Sequence, residues 1–508
     1  MVRTRTSCTG LVSALFFFCA WTAAPAAGGQ YKDYNLLMIS ITNIGTEHMS
    51  LYGYPRKTTP GLDAWAADAG ALVFEDVFTQ ASWTLPVATS LFTSLYPYAH
   101  KIMGRDRNMA LAANIKTLPE LLRGAGYRTA AFTGGLDYMK KAGHMRGFGT
   151  APDNPPFTCF STTTAQAAEW LSKNSGEKFF LFLHGYDAHP PFTPSAKFSG
   201  VFASTAGKNV TVDPSFTYRG YRKSAAKEMT VYYHVPRMGM GTERGKFKKD
   251  APRRTTVLRQ DDIDYLRDLY DEKVLDADAL VGGFLASLDK ALLDRTIIVI
   301  LSEHGEMFAK HGRFGRAGAK AGTLYDEVAH VPLLLRLPGV KGARVRGLVQ
   351  LVDLLPTLSE LLEVAAPRRM QGTSLLPLIK EGRAVNGFAY AGARYNTYVP
   401  EPEQAYDIES VNEFIRDGSW KLLHEVTFSE EKGKPGVDRA AETFELYDLK
   451  NDPDETSNVV AKYPALKLEL ARKLKQWAES SRTFSGSRPQ RQDLPADVRE
   501  KAKQHGYW

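Results

Sequence analysis

Four short polar clusters in this 508-residue chain carry the side chains that could do chemistry. Thr42-Asn43 follows the apolar run Tyr34 to Ile41, and Glu303-His304 follows Ile297 to Leu301. His184, Asp187 and His189 lie in Phe182-Leu183-His184-Gly185-Tyr186-Asp187-Ala188-His189-Pro190-Pro191, and Thr84 opens Thr84-Leu85-Pro86. Carboxylates and imidazoles hold cations or move protons, and a hydroxyl attacks an electrophile once a base or an ion activates it. Open α/β sheets gather their ligands at the carboxyl ends of parallel strands, where the Thr42-Asn43 and Glu303-His304 clusters fall.

The elements that must position these groups are legible from periodicity. Apolar runs at 34–41, 127–133, 179–184, 296–301 and 331–337 read as strands and alternate with helical patterns, which predicts a mixed, mostly parallel sheet flanked by helices. A helix over 261–289 carries Ile263, Leu266, Leu269, Val274, Val281, Phe284 and Leu288 at near-helical spacing. Another lies within Leu348–Leu362, with Pro356 marking a start or kink. Thr117, followed by Pro119 and Glu120, reads as a helix cap.

The chain divides into residues 1–27, an α/β domain over 31–387, a smaller α+β subdomain over 388–482 and a polar tail over 483–508. In the subdomain the strands are expected at 388–395, 413–426 and 442–449, followed by a helix over 464–480. Residues 199–260 lack sustained periodicity and read as a basic insertion. It holds Arg219, Arg222, Lys223, Lys227, Arg237, Arg244, Lys246, Lys248, Lys249, Arg253, Arg254 and Arg259 among tyrosines, either a solvated loop or a clamp for an acidic glycan.

A 44% hydrophobic content suits a large buried core, and 64 Lys+Arg against 56 Asp+Glu leaves a mild excess of +8. That balance favours anionic ligands but falls short of the basic stripe of a nucleic-acid binder, so no nucleic-acid partner is expected. Arg3 and Arg5, the apolar stretch Leu11 to Ala23 and the small residues Ala24-Pro25-Ala26 read as an export signal, which places the mature protein in a periplasm or outside the cell. The apolar stretch is shorter than the ~20 residues that span a bilayer, and no transmembrane helix is expected in the mature chain. With Cys8 and Cys19 in that signal, Cys159 has no intramolecular disulfide partner.

Taken in order, Thr42-Asn43-Ile44-Gly45, Ala81-Ser82-Trp83-Thr84-Leu85-Pro86, Leu95-Tyr96-Pro97, the His184 to Pro191 segment, Ser302-Glu303-His304-Gly305-Glu306, Leu324-Tyr325-Asp326-Glu327 and Leu446-Tyr447-Asp448-Leu449 are spread over residues 34–460. Together they resemble the sulfatase family of the alkaline phosphatase superfamily. The resemblance implies an alkaline phosphatase-like sheet, a C-terminal antiparallel subdomain, and a hydrolase or transferase of sulfate or phosphate esters.

It also implies roles. The family's nucleophile, a Cys or Ser oxidised to formylglycine in a Cys/Ser-x-Pro-x-Arg motif, falls on Thr84, and the motif's Arg falls on Ala88. Threonine cannot give the aldehyde, so no formylglycine is expected, and Cys159 lacks the motif's offsets. A Thr at this place acts directly in related phosphotransfer enzymes that hold a divalent ion. The family's ion ligands map onto Thr42, Asn43, Glu303 and His304, with calcium, magnesium, manganese or zinc as the candidate ion. His189 maps onto an acid or oxyanion partner; Lys320 stands one position early for the family's lysine, and with His184 and Lys101 it is a candidate substrate contact. Lys310, Arg313 and Arg316 are further cations for the anion.

The electrostatics oppose the ion. Replacing two carboxylates by neutral groups forfeits roughly 4 kcal/mol each at 4 Å with an effective dielectric near 20, so several kcal/mol vanish even after the lower desolvation cost. Affinity falls on the order of a thousandfold. Glu47 is the one nearby carboxylate placed to compensate. Two readings follow: an exported sulfate or phosphate ester hydrolase with an impaired site, or an inactive sulfatase-like protein that binds an anionic glycan or partner.

Overall fold

A computed structural model describes residues 30–103, 109–138, 142–221, 229–234, 254–316, 323–400, 405–429, 438–484 and 490–491. In chain order its strands are β1 (Asn35–Ile41), β2 (Leu72–Phe78), β3 (Met109–Ala110), β4 (Arg128–Phe132), β5 (Phe179–Gly185), β6 (Thr217–Tyr221), β7 (Met229–His234), β8 (Arg254–Leu258), β9 (Thr296–Leu301), β10 (Arg313–Phe314), β11 (Leu333–Arg336), β12 (Ala343–Gln350), β13 (Ala389–Pro400), β14 (Ala405–Arg416), β15 (Trp420–Ser429), β16 (Asp438–Asp448) and β17 (Gln490–Arg491).

The central sheet runs β12-β2-β11-β9-β1-β5-β4. β1 is parallel to both β5 and β9, and only β11 runs against its neighbours. Every residue of β1, β5 and β9 is buried, as expected where helices cover both faces of a parallel sheet. Alternation then sends Leu36 and Met38 to one core with Phe180, Phe182, Ile297 and Val299, and Leu37, Ile39 and Ile41 to the other with Leu181, Leu183, Ile298 and Ile300. The first core is closed by Val87 and Leu91 of the helix Thr84–Thr93 and by Leu354, Leu355 and Leu358 of the helix Leu354–Leu361. The second is closed by Leu266, Leu269, Val274 and Val281 of the helix Gln260–Ala286.

The five expected strands and the long helix are all present. Pro356 lies in the first turn of its helix, where a missing N–H leaves no broken hydrogen bond, so it marks a start rather than a kink. Thr117 and Glu120 form a reciprocal capping box ahead of the helix Leu118–Gly124.

Two stretches differ from expectation. Residues 199–260 contain β6, β7 and β8, which join β10 in an antiparallel sheet ordered β10-β6-β7-β8. Its pairing with Arg313-Phe314 is distant in sequence, so local periodicity does not announce it. Most of the basic side chains counted there lie outside the described residues. The expected strand over 413–426 is two strands, because Asp417 accepts the N–H groups of Ser419 and Trp420 at 2.7 and 2.8 Å and turns the chain between β14 and β15. The C-terminal sheet β13-β14-β15-β16 packs Ile415, Leu422 and Leu446 on Leu470, Leu474 and Trp477 of the helix Pro464–Phe484. In the tail, β17 pairs with β3. No helix among the described residues is long and apolar enough to cross a membrane; the expected export signal lies outside them.

Candidate functional site

β1, β5 and β9 end side by side, so Thr42 and Asn43 after β1 and Glu303 and His304 after β9 meet His184, the penultimate residue of β5. The loop after β9 is tight against the helix Asp326–Ala329: a Cβ on Gly305 would stand 1.9 Å from the Glu327 carbonyl oxygen, and the Gly305 N–H donates to Val328 O at 2.9 Å. Ser302 braces the loops after β1 and β9, accepting from the Ile44 N–H and donating to the His304 carbonyl, both at 3.0 Å.

Glu303 is fully buried and covered by donors. Tyr138 donates to Oε1 at 2.6 Å, Thr42 donates to Oε2 at 3.1 Å, and His184 Nε2 lies 3.2 Å from Oε1. The Gly134 N–H points at His184 Nδ1, so that nitrogen is the acceptor and Nε2 carries the proton it offers to Thr42 at 2.5 Å and to Glu303. Burial pushes the Glu303 carboxyl up, but His184, His304 and Tyr138 outweigh it and hold it at about 2.

Asn43 sits in the left-handed region at φ 70°, a conformation asparagine tolerates better than most residues. Its amide donates to Ala188 O and to Glu306 Oε2, each at 3.0 Å, its Oδ1 accepts from Arg316 Nη1 at 3.1 Å, and its backbone carbonyl accepts from Tyr270 at 2.7 Å. An aspartate here would face a carbonyl and a carboxylate with no proton to give. That contact set accounts for an amide where a carboxylate was expected.

Thr84 is the first residue of its helix and is 2% exposed. Its hydroxyl lies 3.2 Å from His304 Nε2, while His304 Nδ1 faces the Gly305 carbonyl at 3.1 Å. A carbonyl only accepts, so Nδ1 carries the proton and Nε2 receives the Thr84 hydroxyl. This is the order of a nucleophile, a base and an orienting group. Burial, with the Arg316 charge second, pushes the His304 imidazole down to about 3, which keeps it neutral and makes it a weak base.

Arg316 is the cation of the cluster. Its Nη2 donates to His189 Nε2 at 3.0 Å, its Nη1 lies 3.3 Å from Glu306 Oε2, and the guanidinium stacks 4.8 Å from the Trp83 ring. His189 Nδ1 donates to Pro190 O at 2.6 Å, so this histidine holds Arg316 and has no proton directed at a leaving group.

The remaining expected residues stand elsewhere. The Lys101 ammonium donates to the Arg482 carbonyl at 2.5 Å, and neighbouring His100 bonds to Ser90 at 3.0 Å. Lys320 lies outside the described residues. Lys310 holds Glu47 at 2.9 Å, so Glu47 does not supply the missing carboxylate, and Arg313 pairs with Glu425 at 2.7 Å. Asp187 accepts the Phe160 N–H at 2.8 Å, a structural bond. Burial raises the Cys159 thiol to about 12, far from a reactive thiolate. Sequence reasoning missed Tyr138 and Glu306. Tyr138 comes from the loop after β4 and carries no motif, whereas Glu306 stands two residues past His304 and was open to notice.

The four residues expected to hold a divalent ion do not fit one. Calcium takes six to eight oxygens and magnesium six in near-octahedral array. Here Glu303 already accepts from three groups, Asn43 Oδ1 is held by a guanidinium and His304 Nε2 by a hydroxyl. A second set, His311, Glu327 and Glu455, brings its ligand atoms within 4.8 Å of one another. Lys310 stands 3.3 Å from Glu327 and Lys421 2.7 Å from Glu455, which neutralises that set from within the chain.

Comparison with known proteins places the chain in the sulfatase family. The sequence profile of the sulfatase family matches residues 35–364, and that of the N-sulphoglucosamine sulphohydrolase C-terminal region matches residues 320–480. Arylsulfatase K of Homo sapiens is 28% identical over 319 residues, 61% of this chain and 54% of that protein. Arylsulfatase K of Mus musculus is 26% identical over 314 residues, 61% of this chain and 52% of that one, so the chain spans about half the length of these curated relatives. The multifunctional alkaline phosphatase superfamily protein PehA of Trinickia caryophylli is 26% identical over 345 residues, covering 65% of this chain and 62% of that protein. Among solved structures, the phosphonate monoester hydrolase of Agrobacterium radiobacter superposes with a TM-score of 0.63 at 19% identity, covering 91% of this chain and 98% of that one. BT4656 in complex with its substrate D-glucosamine-2-N,6-O-disulfate gives 0.64 at 20% identity, with 88% and 98% covered. At these identities the structural likeness is one of fold.

Proposed function

Because the chain belongs to the sulfatase family of the alkaline phosphatase superfamily, we propose that its strand-end site recognises a sulfate or phosphate ester of an anionic glycan and is impaired as a hydrolase. The observation that carries this reading is the closure of the donor set upon itself. Glu303, Thr42, Asn43, His184 and His304 satisfy one another or nearby protein groups, and among the described residues the base bonded to Thr84 is an imidazole held near 3. Arg316, whose charge Glu306 offsets until an anion competes for it, and the first turn of the helix Thr84–Thr93 are the groups an anionic ester would meet. The structure bound to a glucosamine disulfate makes a sulfated amino sugar the first ligand to try. The proposed setting remains exported.

A second reading, slow hydrolysis by Thr84, rests on the Thr84–His304 hydrogen bond. In it Thr84 Oγ1 bonds to sulfur or phosphorus as the ester oxygen departs. His304 takes the hydroxyl proton and passes it to the leaving alcohol, and water then cleaves the threonine ester. An anion on Arg316 would offset the charge that depresses His304 and strengthen it as a base.

The deciding experiment measures binding of glucosamine-2-N,6-O-disulfate by calorimetry and release of sulfate and phosphate from aryl esters, for the native chain and Thr84→Ala. Binding with equal, background-level release in both supports the impaired reading. Release that disappears in Thr84→Ala overturns it in favour of the second, and absence of binding to the disulfate removes the sulfated amino sugar as ligand.

A further inference from the structure

We propose that Arg316 stands in for the divalent ion of the family, so that the positive charge at the strand ends is a covalent part of this chain. The inference deepens the reading of the same site. It rests on the meeting of two neutral residues, at positions mapped to the ion, with one buried guanidinium in a single contact set. Asn43, at a position mapped to the ion, presents its Oδ1 to Arg316 Nη1 at 3.1 Å. Its amide donates to Glu306, the carboxylate that faces Nη1 at 3.3 Å and also accepts the Arg316 backbone N–H at 2.6 Å. Thr42, the neighbouring mapped position, gives its hydroxyl to Glu303 rather than leaving two carboxylates facing each other.

Charge accounts for the set. Arg316 and Glu306 are 3% and 2% exposed and compensate each other. Glu303 keeps its charge under three donors. Two further carboxylates at positions 42 and 43 would have no partner unless a dication entered, and a dication would meet a buried guanidinium already bonded to one of its intended ligands. The neutral side chains at 42 and 43 and the buried guanidinium therefore form one charge-balanced set. Trp83 and His189 keep the guanidinium in place, the ring by stacking at 4.8 Å and the imidazole by accepting from Nη2 at 3.0 Å.

The test reads metal content and thermal stability of the full chain rather than turnover, so it can fail while the ester-binding reading stands, and the reverse. The native protein, dialysed against calcium, magnesium, manganese or zinc and then desalted, is expected to hold far less than one ion per chain. Its melting temperature is expected to be unmoved by EDTA or calcium. In Thr42→Asp/Asn43→Asp/Arg316→Ser, calcium is expected to raise the melting temperature. One ion per native chain that is lost in Glu303→Gln overturns the proposal. Because the native measurement decides alone, a triple variant that fails to fold does not rescue or sink it.

Discussion

Arg316 Nη1 lies 3.1 Å from Asn43 Oδ1 and 3.3 Å from Glu306 Oε2, tying the end of β1 to two points of the long loop after β9. Since this ion pair is almost fully buried, removing one charge leaves the other without compensation. Glu306→Gln should cost about 3 kcal/mol of unfolding free energy, the low end of the range for a broken buried pair. Urea unfolding of the two proteins measures it, and a loss near zero would show that water screens the guanidinium.

Asn43→Asp should also destabilise the native state, by about 2 kcal/mol, because the new carboxylate replaces the donor to Ala188 O and Glu306 with an acceptor. Backbone strain is no objection, since aspartate tolerates positive φ. If melting shows Asn43→Asp as stable as the parent, the amide is not read by these two partners.

Stability should fall with acid through Glu303. Its native carboxyl is held at about 2, below the unfolded value of about 4.3, so its contribution is fully present above pH ~4.3 and is lost as pH falls toward 2. The stabilisation amounts to about 3 kcal/mol at neutral pH. The difference in unfolding free energy between the parent and Glu303→Gln should therefore shrink between pH 5 and 2 by about that amount. A constant difference across the range would place the Glu303 effect in packing.

Asp326 joins the α/β domain to the C-terminal sheet through Lys421, at 2.6 Å, and Arg416. Lys421 is fully buried, although Glu455 at 2.7 Å remains beside it. Asp326→Asn should cost about 3 kcal/mol and speed hydrogen exchange in β14 and β15 more than in β1. Equal exchange in both sheets would mean that the two parts unfold as one unit irrespective of this pair.

The sheet was legible in the sequence for a local reason. Apolar runs such as Leu36–Ile41 and Ile297–Leu301 announce buried parallel strands because every residue on them must be covered. The polar residues that follow must then lie at a shared edge. The hairpin within 413–426, expected as one strand, carried a local signal in Asp417-Gly418 that sequence reasoning missed.

What those edge residues do was decided only by tertiary structure. Arg316 reaches Asn43 across 273 positions, Tyr138 reaches Glu303 across 165, and both come from segments without periodicity. Glu47, only four residues from Asn43, turned away to Lys310. Periodicity reports which face of an element is dry, because burial repeats with the element's own geometry. The partner of a single polar group in a loop follows from where the chain brings distant loops together, and no local pattern encodes that distance.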